Sequence, residues 1–205
     1  MPLPLVHPIL PLLSRDLPRG AGWRYELKLD GFRGTLYAEK KRAWFRSKKG
    51  HVMRRFDDLA RRVANELDAR NAILDGEIVV MGERGPDFYA LMFHRGVPQF
   101  AAFDLLWLDG RDLRAHAYNA RKAALRTLIG RRAAHVSYVD SHEEAALFAA
   151  AARMDLEGVV AKQCDEPYAA GTSWIKVKNR EYSQLAGRGE LFHKKGGGSC
   201  HGPHS

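Results

Sequence analysis

Residues 26–33 read Glu-Leu-Lys-Leu-Asp-Gly-Phe-Arg, and the alternation of charged and apolar side chains in this octet constrains the fold more than any other stretch. Alternate side chains of an extended strand point to opposite faces. The pattern predicts a strand from Trp23 to Leu29, burying Leu27 and Leu29 on one face and carrying Glu26, Lys28 and Asp30 on the other. A glycine turn and Arg33 follow. Burial of two leucines accounts for a strand, but not for a lysine set between two acids. Such a lysine is either salt-bridged or reactive, and the octet alone leaves both readings open.

Further along, polar residues again border apolar strands. Asp75-Gly76-Glu77 leads into Ile-Val-Val-Met, and Phe103-Asp104 sits inside the aromatic run Phe100 to Trp107. Glu157-Gly158 opens an apolar stretch that ends at Lys162, and Trp174 to Lys178 sets Lys176 and Lys178 opposite Ile175 and Val177. Each has an ordinary explanation: a turn, a strand cap, a core aromatic, or lysines blunting a sheet edge. A shared site explains all of them at once.

Between these segments the periodicity predicts a hairpin of Thr35–Tyr37 with Ala43–Arg46, and helices over Met53–Leu67 and Tyr118–Ile129, the latter closed by Gly130. Ser141-His-Glu-Glu144 matches a capping box and predicts a helix from there to Arg153. Strands and helices mix without regular β-α-β alternation, which argues for an α+β fold with mainly antiparallel sheets. The Gly- and His-rich residues 193–205 read as a disordered tail after a single domain spanning 1–192.

Composition narrows the function. A formal net charge of +9 favours phosphate-bearing partners, because Lys and Arg release counterions from nucleic acid, over a merely basic surface. No apolar run approaches the ~18 residues of a membrane span. The apolar N-terminus is broken by Pro2, Pro4, Pro8 and Pro11 and lacks a basic leader, so it makes a poor signal peptide. Cys164 and Cys200 show no metal-knuckle spacing, which suggests a reducing compartment and leaves a disulfide between them open.

The polar residues suit one chemistry. A lysine amine, with a reference pKa of about 10.4, becomes a nucleophile when neighbouring cations or a metal favour its neutral form. Glu77 and Glu157 offer the hard oxygen ligands that Mg²⁺ prefers. Lys176 and Lys178 could neutralise phosphate charge, and Phe103 could stack on a base. Together they describe a lysine attacking a nucleoside triphosphate without the GxxxxGK[ST] loop of P-loop enzymes.

In this order the segments resemble the nucleotidyltransferase domain of ATP-dependent DNA ligases, and in particular the ligase module of bacterial end-joining ligases. The K-x-D-G-x-R motif stands at Lys28–Arg33, D-G-E at Asp75–Glu77, F-D-L-L at Phe103–Leu106, E-G-x-x-x-K at Glu157–Lys162 and W-x-K-x-K at Trp174–Lys178. The likeness covers roughly residues 5–192. It implies an ATP-grasp-like pair of mainly antiparallel sheets flanked by helices, with nucleotide between them. It also implies that Lys28 forms a covalent lysyl-AMP, that Glu26 and the backbone at Leu27 recognise adenine, and that Phe103 stacks on it. Arg33 and Glu77 would contact the ribose region, Glu157 with Glu77 would hold Mg²⁺, and Lys176 and Lys178 would contact the α-phosphate. AMP would then pass to the 5′-phosphate of a nick, which the 3′-hydroxyl seals.

The sequence departs from the family pattern in two ways. Lys48 follows Ser47 where the family has arginine, which keeps the charge but loses the planar bidentate fork. Only residues 179–205 follow the last motif, too few for the oligonucleotide-binding-fold domain that ligases carry next. The expected protein is therefore a monomeric ligase adenylation domain, cytoplasmic and nucleoid-associated in a bacterium, acting in DNA repair. Its expected partners are nicked double-stranded DNA and end-joining or other repair proteins, with no membrane. The alternatives are a catalytically weak or inactive ligase-like module that binds DNA or a partner, and another covalent nucleotidyltransferase such as an RNA ligase or a capping guanylyltransferase.

Overall fold

The computed structural model describes residues 2–39, 42–130 and 133–185. The tail expected at 193–205, the last residues of the domain expected to end at 192, and Cys200 lie outside the described residues. Cys164 is a buried free thiol. Among the described residues no helix is long and apolar enough to cross a membrane.

Two sheets carry the fold. The smaller runs in the order β1 (Leu12–Ser14), β12 (Ile175–Lys178), β11 (Gly158–Gln163), β2 (Trp23–Leu27) and β10 (Ser141–His142). The larger has the spine β4 (Arg42–Ser47), β3 (Phe32–Glu39), β5 (Asn71–Gly82), β7 (Pro98–Leu108) and β8 (Arg111–Asp112). The short β6 (Gly85–Pro86) pairs with β5, and β9 (Val136–Tyr138) with β7. Pairing is antiparallel except between β1 and β12 and between β7 and β9. Four α-helices, α1 (Asp57–Glu66), α2 (Phe88–Met92), α3 (Tyr118–Ile129) and α4 (Leu147–Arg153), and two 3-10 turns, at Arg54–Phe56 and Ser183–Leu185, complete the described elements. The α+β architecture of mainly antiparallel sheets with flanking helices agrees with the sequence reading.

The period of two along each strand sorts side chains into helix-facing and inter-sheet sets. On β3, β5 and β7, Leu36, Leu74, Ile78, Phe100 and Leu105 pack into one core with Leu59 and Val63 of α1 and Leu125 and Leu128 of α3. The opposite faces contribute Tyr37, Ile73 and Leu106 to a second core with Trp174 and Tyr168, and a register shift in the β5–β7 pairing between Ala102 and Asp104 puts Phe100 and Leu105 on one face of β7. On the small sheet, Tyr25, Val159 and Ala161 pack with Ala151 of α4. Glu26, Val160 and Lys176 lie in one cross-strand row and Lys162 two residues on, so they share the other parity. The alternation that predicted these strands therefore also sends their polar side chains to the space between the sheets.

Three local expectations change. The first strand ends at Leu27, and Leu27 and Leu29 are only half-buried, whereas Glu26 and Asp30 are 2% and 5% exposed. Tyr25, on the leucine face, is 1% exposed, so both faces of the strand are interior. The helix expected from Met53 begins with a 3-10 turn at Arg54–Phe56 and becomes α-helical at Asp57. The expected capping box fails, because Ser141 and His142 pair with Glu26 and Tyr25 as the edge strand β10. Helix α4 starts six residues after Ser141, at Leu147, without a side-chain cap.

Candidate active site

A cleft of about 600 Å³ opens between the sheets, the size of an ordinary small-molecule site. Its lining includes Glu26, Leu27, Lys28, Arg33, Lys48, Glu77, Phe103, Glu157 and Lys176, so these sequence candidates converge on one place. Lys178 is the exception. It stands more exposed, outside that lining, with its Nζ 3.8 Å from Glu157 Oε1.

Lys28 emerges where the chain leaves β2. Its amide donates to Gly158 O at 2.9 Å, which continues the pairing with β11 by one residue and fixes the start of the side chain. Its Nζ lies 2.6 Å from Glu157 Oε2. The two acids beside it in sequence hold other partners: Asp30 accepts from Tyr182 Oη at 2.9 Å, and Glu26 is taken up as described below. The chain can turn here because residue 31 is glycine. A Cβ at that position would stand 2.1 Å from Ile78 O on β5.

Across the cleft, Arg33 and Glu77 are register partners on β3 and β5. Burial pushes the Glu77 carboxyl up to about 7; Lys28 and Arg33 oppose the rise, and Glu157 and Asp75 add to it. Arg33 is less available than its motif suggests. Its Nε and Nη2 donate to Asp75 Oδ1 and Oδ2 at 2.7 and 2.6 Å, and Nη2 also reaches Ile9 O at 3.3 Å. Asp75 is fully buried and accepts a third bond, from Tyr168 Oη at 2.6 Å. The guanidinium stands 4.5 Å from the centroid of the Phe103 ring, so the platform expected to stack on a base is already contacted by a cation. Lys176 is pushed below the usual lysine range by burial first, then by Lys28 and Lys178.

Glu26 carries the densest network. Tyr118 Oη donates to its Oε1 at 2.6 Å, Lys122 Nζ stands 2.8 Å from Oε1, and Lys162 Nζ 2.5 Å from Oε2. Burial alone would raise the Glu26 carboxyl, but the two lysines outweigh it and hold it below the usual range. Lys162 is pushed down to about 8 by burial, against the pull of Glu26 and Asp104, and its Nζ lies 4.4 and 4.1 Å from the centroids of Phe103 and Trp174.

Sequence reasoning gave no role to Tyr118, Lys122, Lys162 or Tyr168, nor to the bidentate pair of Asp104 with Arg121, whose Nε–Oδ1 and Nη2–Oδ2 distances are 2.8 and 2.9 Å. A signal did exist: Tyr118 and Lys122 are four apart on a helix and share a face with Leu125, a pattern that buries a lysine. Nothing in the pattern says which acid that lysine meets.

Mg²⁺ is commonly bound by one or two carboxylates plus substrate phosphates. Glu77 and Glu157 in one cleft fit that requirement, although among the described residues no cluster of three or more His, Cys, Asp or Glu side chains is assembled to bind a metal unaided.

The family model for the ATP dependent DNA ligase domain matches residues 13–178. The multifunctional non-homologous end joining DNA repair protein LigD of Mycobacterium tuberculosis is 33% identical over 167 residues, covering 78% of this chain and 22% of that protein. DNA ligase C1 of Mycolicibacterium smegmatis is 31% identical, covering 97% of this chain and 64% of the relative. Among solved structures, the ligase domain of M. tuberculosis LigD aligns with a TM-score of 0.67 at 31% identity, over 82% of this chain and 59% of that one. A mycobacterial DNA ligase D complexed with ATP and MES aligns with a TM-score of 0.64 at 31% identity. The chain thus spans about a fifth of the LigD protein and under two thirds of its ligase domain. The nucleotidyltransferase fold expected from the motifs is the fold of these structures.

Proposed function

Because the chain belongs to the ATP-dependent DNA ligase family, we propose that it is the adenylation domain of an end-joining type of ligase, with Lys28 as its nucleophile. The observation that carries this reading is the convergence of the motif residues around Lys28 in one cleft. Lys28 Nζ would attack the α-phosphorus of ATP, forming an N–P bond as the bond to pyrophosphate breaks. The resulting lysyl-AMP would pass AMP to the 5′-phosphate of a DNA nick, and attack by the 3′-hydroxyl would seal the nick and release AMP.

Lys28 donates to Glu157, and an ammonium is not a nucleophile. Adenylation therefore requires that pair to open and the lysine to lose a proton. Glu157 and Glu77 would hold Mg²⁺, which when bound supplies positive charge for the triphosphate. Lys48 and Lys176 are near enough to the cleft to contact phosphate, and Lys178 would reach it only by leaving Glu157. Glu26 and the Leu27 backbone would read the base edge. Stacking on Phe103 would require Arg33 to share or vacate the ring, so a ribose contact by Arg33 and stacking by Phe103 would be coupled.

The bacterial relatives support a cytoplasmic, DNA-associated protein that acts on nicked duplex in repair. Incubation with α-phosphate-labelled ATP and Mg²⁺ should give an acid-labile, alkali-stable label on wild type and none on Lys28→Ala. Equal labelling of the two proteins would refute the assignment of Lys28. Parallel sealing assays on DNA and RNA nicks would separate a DNA ligase from an RNA ligase.

A further inference from the structure

We propose that Tyr118 and Lys122, which stand behind the cleft on α3, are positioning residues. They hold Glu26 as an acceptor-only anion and so set a preference for a nucleobase edge bearing an amino donor over one bearing a carbonyl oxygen. The inference deepens the proposed function and rests on its assignment of Glu26 to the base edge.

The geometry gives each partner a separate task. Tyr118 and Lys122 both engage Glu26 Oε1, at 2.6 and 2.8 Å, while among the described residues Oε2 has only Lys162 at 2.5 Å. A carboxylate offers about four acceptor sites, two on each oxygen. The two donors from α3 occupy Oε1, and one site remains on Oε2 of a residue that lines the cleft. Neither α3 residue lines the cleft itself.

Lys122 is in turn fixed from behind. Its Nζ donates to Val139 O at 2.6 Å and to Phe103 O at 3.4 Å, and stands 4.2 Å from the Tyr138 ring centroid. It therefore joins the backbone of the stacking residue to the carboxylate of the edge-reading residue in one clamp.

An ionised carboxylate can only accept. An adenine-like amino group meets the free Oε2 site as a donor, whereas a guanine-like carbonyl would set oxygen against oxygen in a buried place. A carboxyl free to protonate could serve either base, since its O–H would donate to a carbonyl. The ammonium of Lys122 opposes that protonation, and the Tyr118 hydroxyl directs the carboxylate. Sites built around a polar edge can reject the wrong partner strongly, because the mismatch leaves buried groups unpaired.

The test measures dissociation constants for ATP and GTP by calorimetry on wild type, Glu26→Gln, Lys122→Met, Lys122→Arg, Tyr118→Phe and the Glu26→Gln/Lys122→Met double variant. Methionine keeps the apolar stem under Tyr138 and removes the ammonium together with its bonds to Val139 O and Phe103 O. Lys122→Met should lower the ATP-over-GTP preference at least tenfold, Tyr118→Phe about threefold, and Lys122→Arg should restore most of the preference. In the Glu26→Gln background the Lys122→Met change should add nothing to the loss of preference.

Unchanged preference in Lys122→Met and Tyr118→Phe, whatever happens to overall affinity, would overturn the proposal and leave Lys122 as scaffold. If Glu26→Gln itself leaves the preference unchanged, the assignment of Glu26 to the base edge fails first, and this inference falls with it. Should Lys122→Met not fold, Tyr118→Phe removes a single oxygen and decides the question alone.

Discussion

Replacing Asp75, buried behind the cleft, by alanine should strongly destabilise the domain. Asp75 is fully buried and accepts from Arg33 Nε and Nη2 and from Tyr168 Oη, all within 2.7 Å. The alanine variant strands a guanidinium that is only 14% exposed in its side chain. Breaking a buried ion pair from one side costs about 3–5 kcal/mol, and an unsatisfied buried hydroxyl about 1 kcal/mol more. The expected total, about 4–6 kcal/mol, is a large share of the 5–15 kcal/mol that holds a typical domain. At about 2–4 °C per kcal/mol for a chain of this size, Tm should fall by roughly 10 °C or more. Urea unfolding and calorimetry at pH 7 would measure the loss, and Arg33→Met with the double variant would complete a cycle. Because Arg33→Met/Asp75→Ala leaves no unpaired charge, it should be more stable than the sum of the singles by at least about 2 kcal/mol. Additive single losses, or a loss under about 1 kcal/mol for Asp75→Ala, would refute the claim that this pair is closed and buried.

Three further outcomes are expected. Burial holds Lys162 near pH 8 against an ordinary value of 10.5, so the unfolded chain binds more protons between those values and stability due to Lys162 rises with pH across that window. Relative to Lys162→Met, wild type should gain about 2 kcal/mol between pH 8 and pH 10 in urea unfolding, and an equal pH response of the two proteins would contradict the burial argument. Gly158 has φ of +145°, and a Cβ there would stand 2.1 Å from Val177 O, so Gly158→Ala should cost about 3 kcal/mol or prevent folding; a soluble variant with unchanged Tm would sink that reading. Lys48→Arg keeps the charge and adds a bidentate fork, so the KM for ATP in the labelling assay should fall severalfold; no change would remove Lys48 from the phosphate contacts.

The sequence alone determined the strands that build the site and which residues travel together on each. A period of two is a local property of extended backbone, so the parity that groups Glu26 with Lys28, Asp75 with Glu77, and Lys176 with Lys178 needs no tertiary information. The ordered motifs likewise carried the family. Only the folded structure decided what each charged face meets. The first strand was read as a leucine-burying one, yet Glu26 is better buried than either leucine, because Tyr118 and Lys122 of α3 and Lys162 close over it. Lys28 was framed by Glu26 and Asp30, yet its partner is Glu157, 129 residues away. Glu26 is held by Tyr118 and Lys122, on a helix 92 residues along the chain at its nearer contact. Ser141 read as a helix cap and became a strand edge, since a sheet with an open edge competes for the same backbone groups. Local periodicity fixes which side chains share a face; which layer closes over it is set by long-range packing, and there the charges of this cleft find their partners.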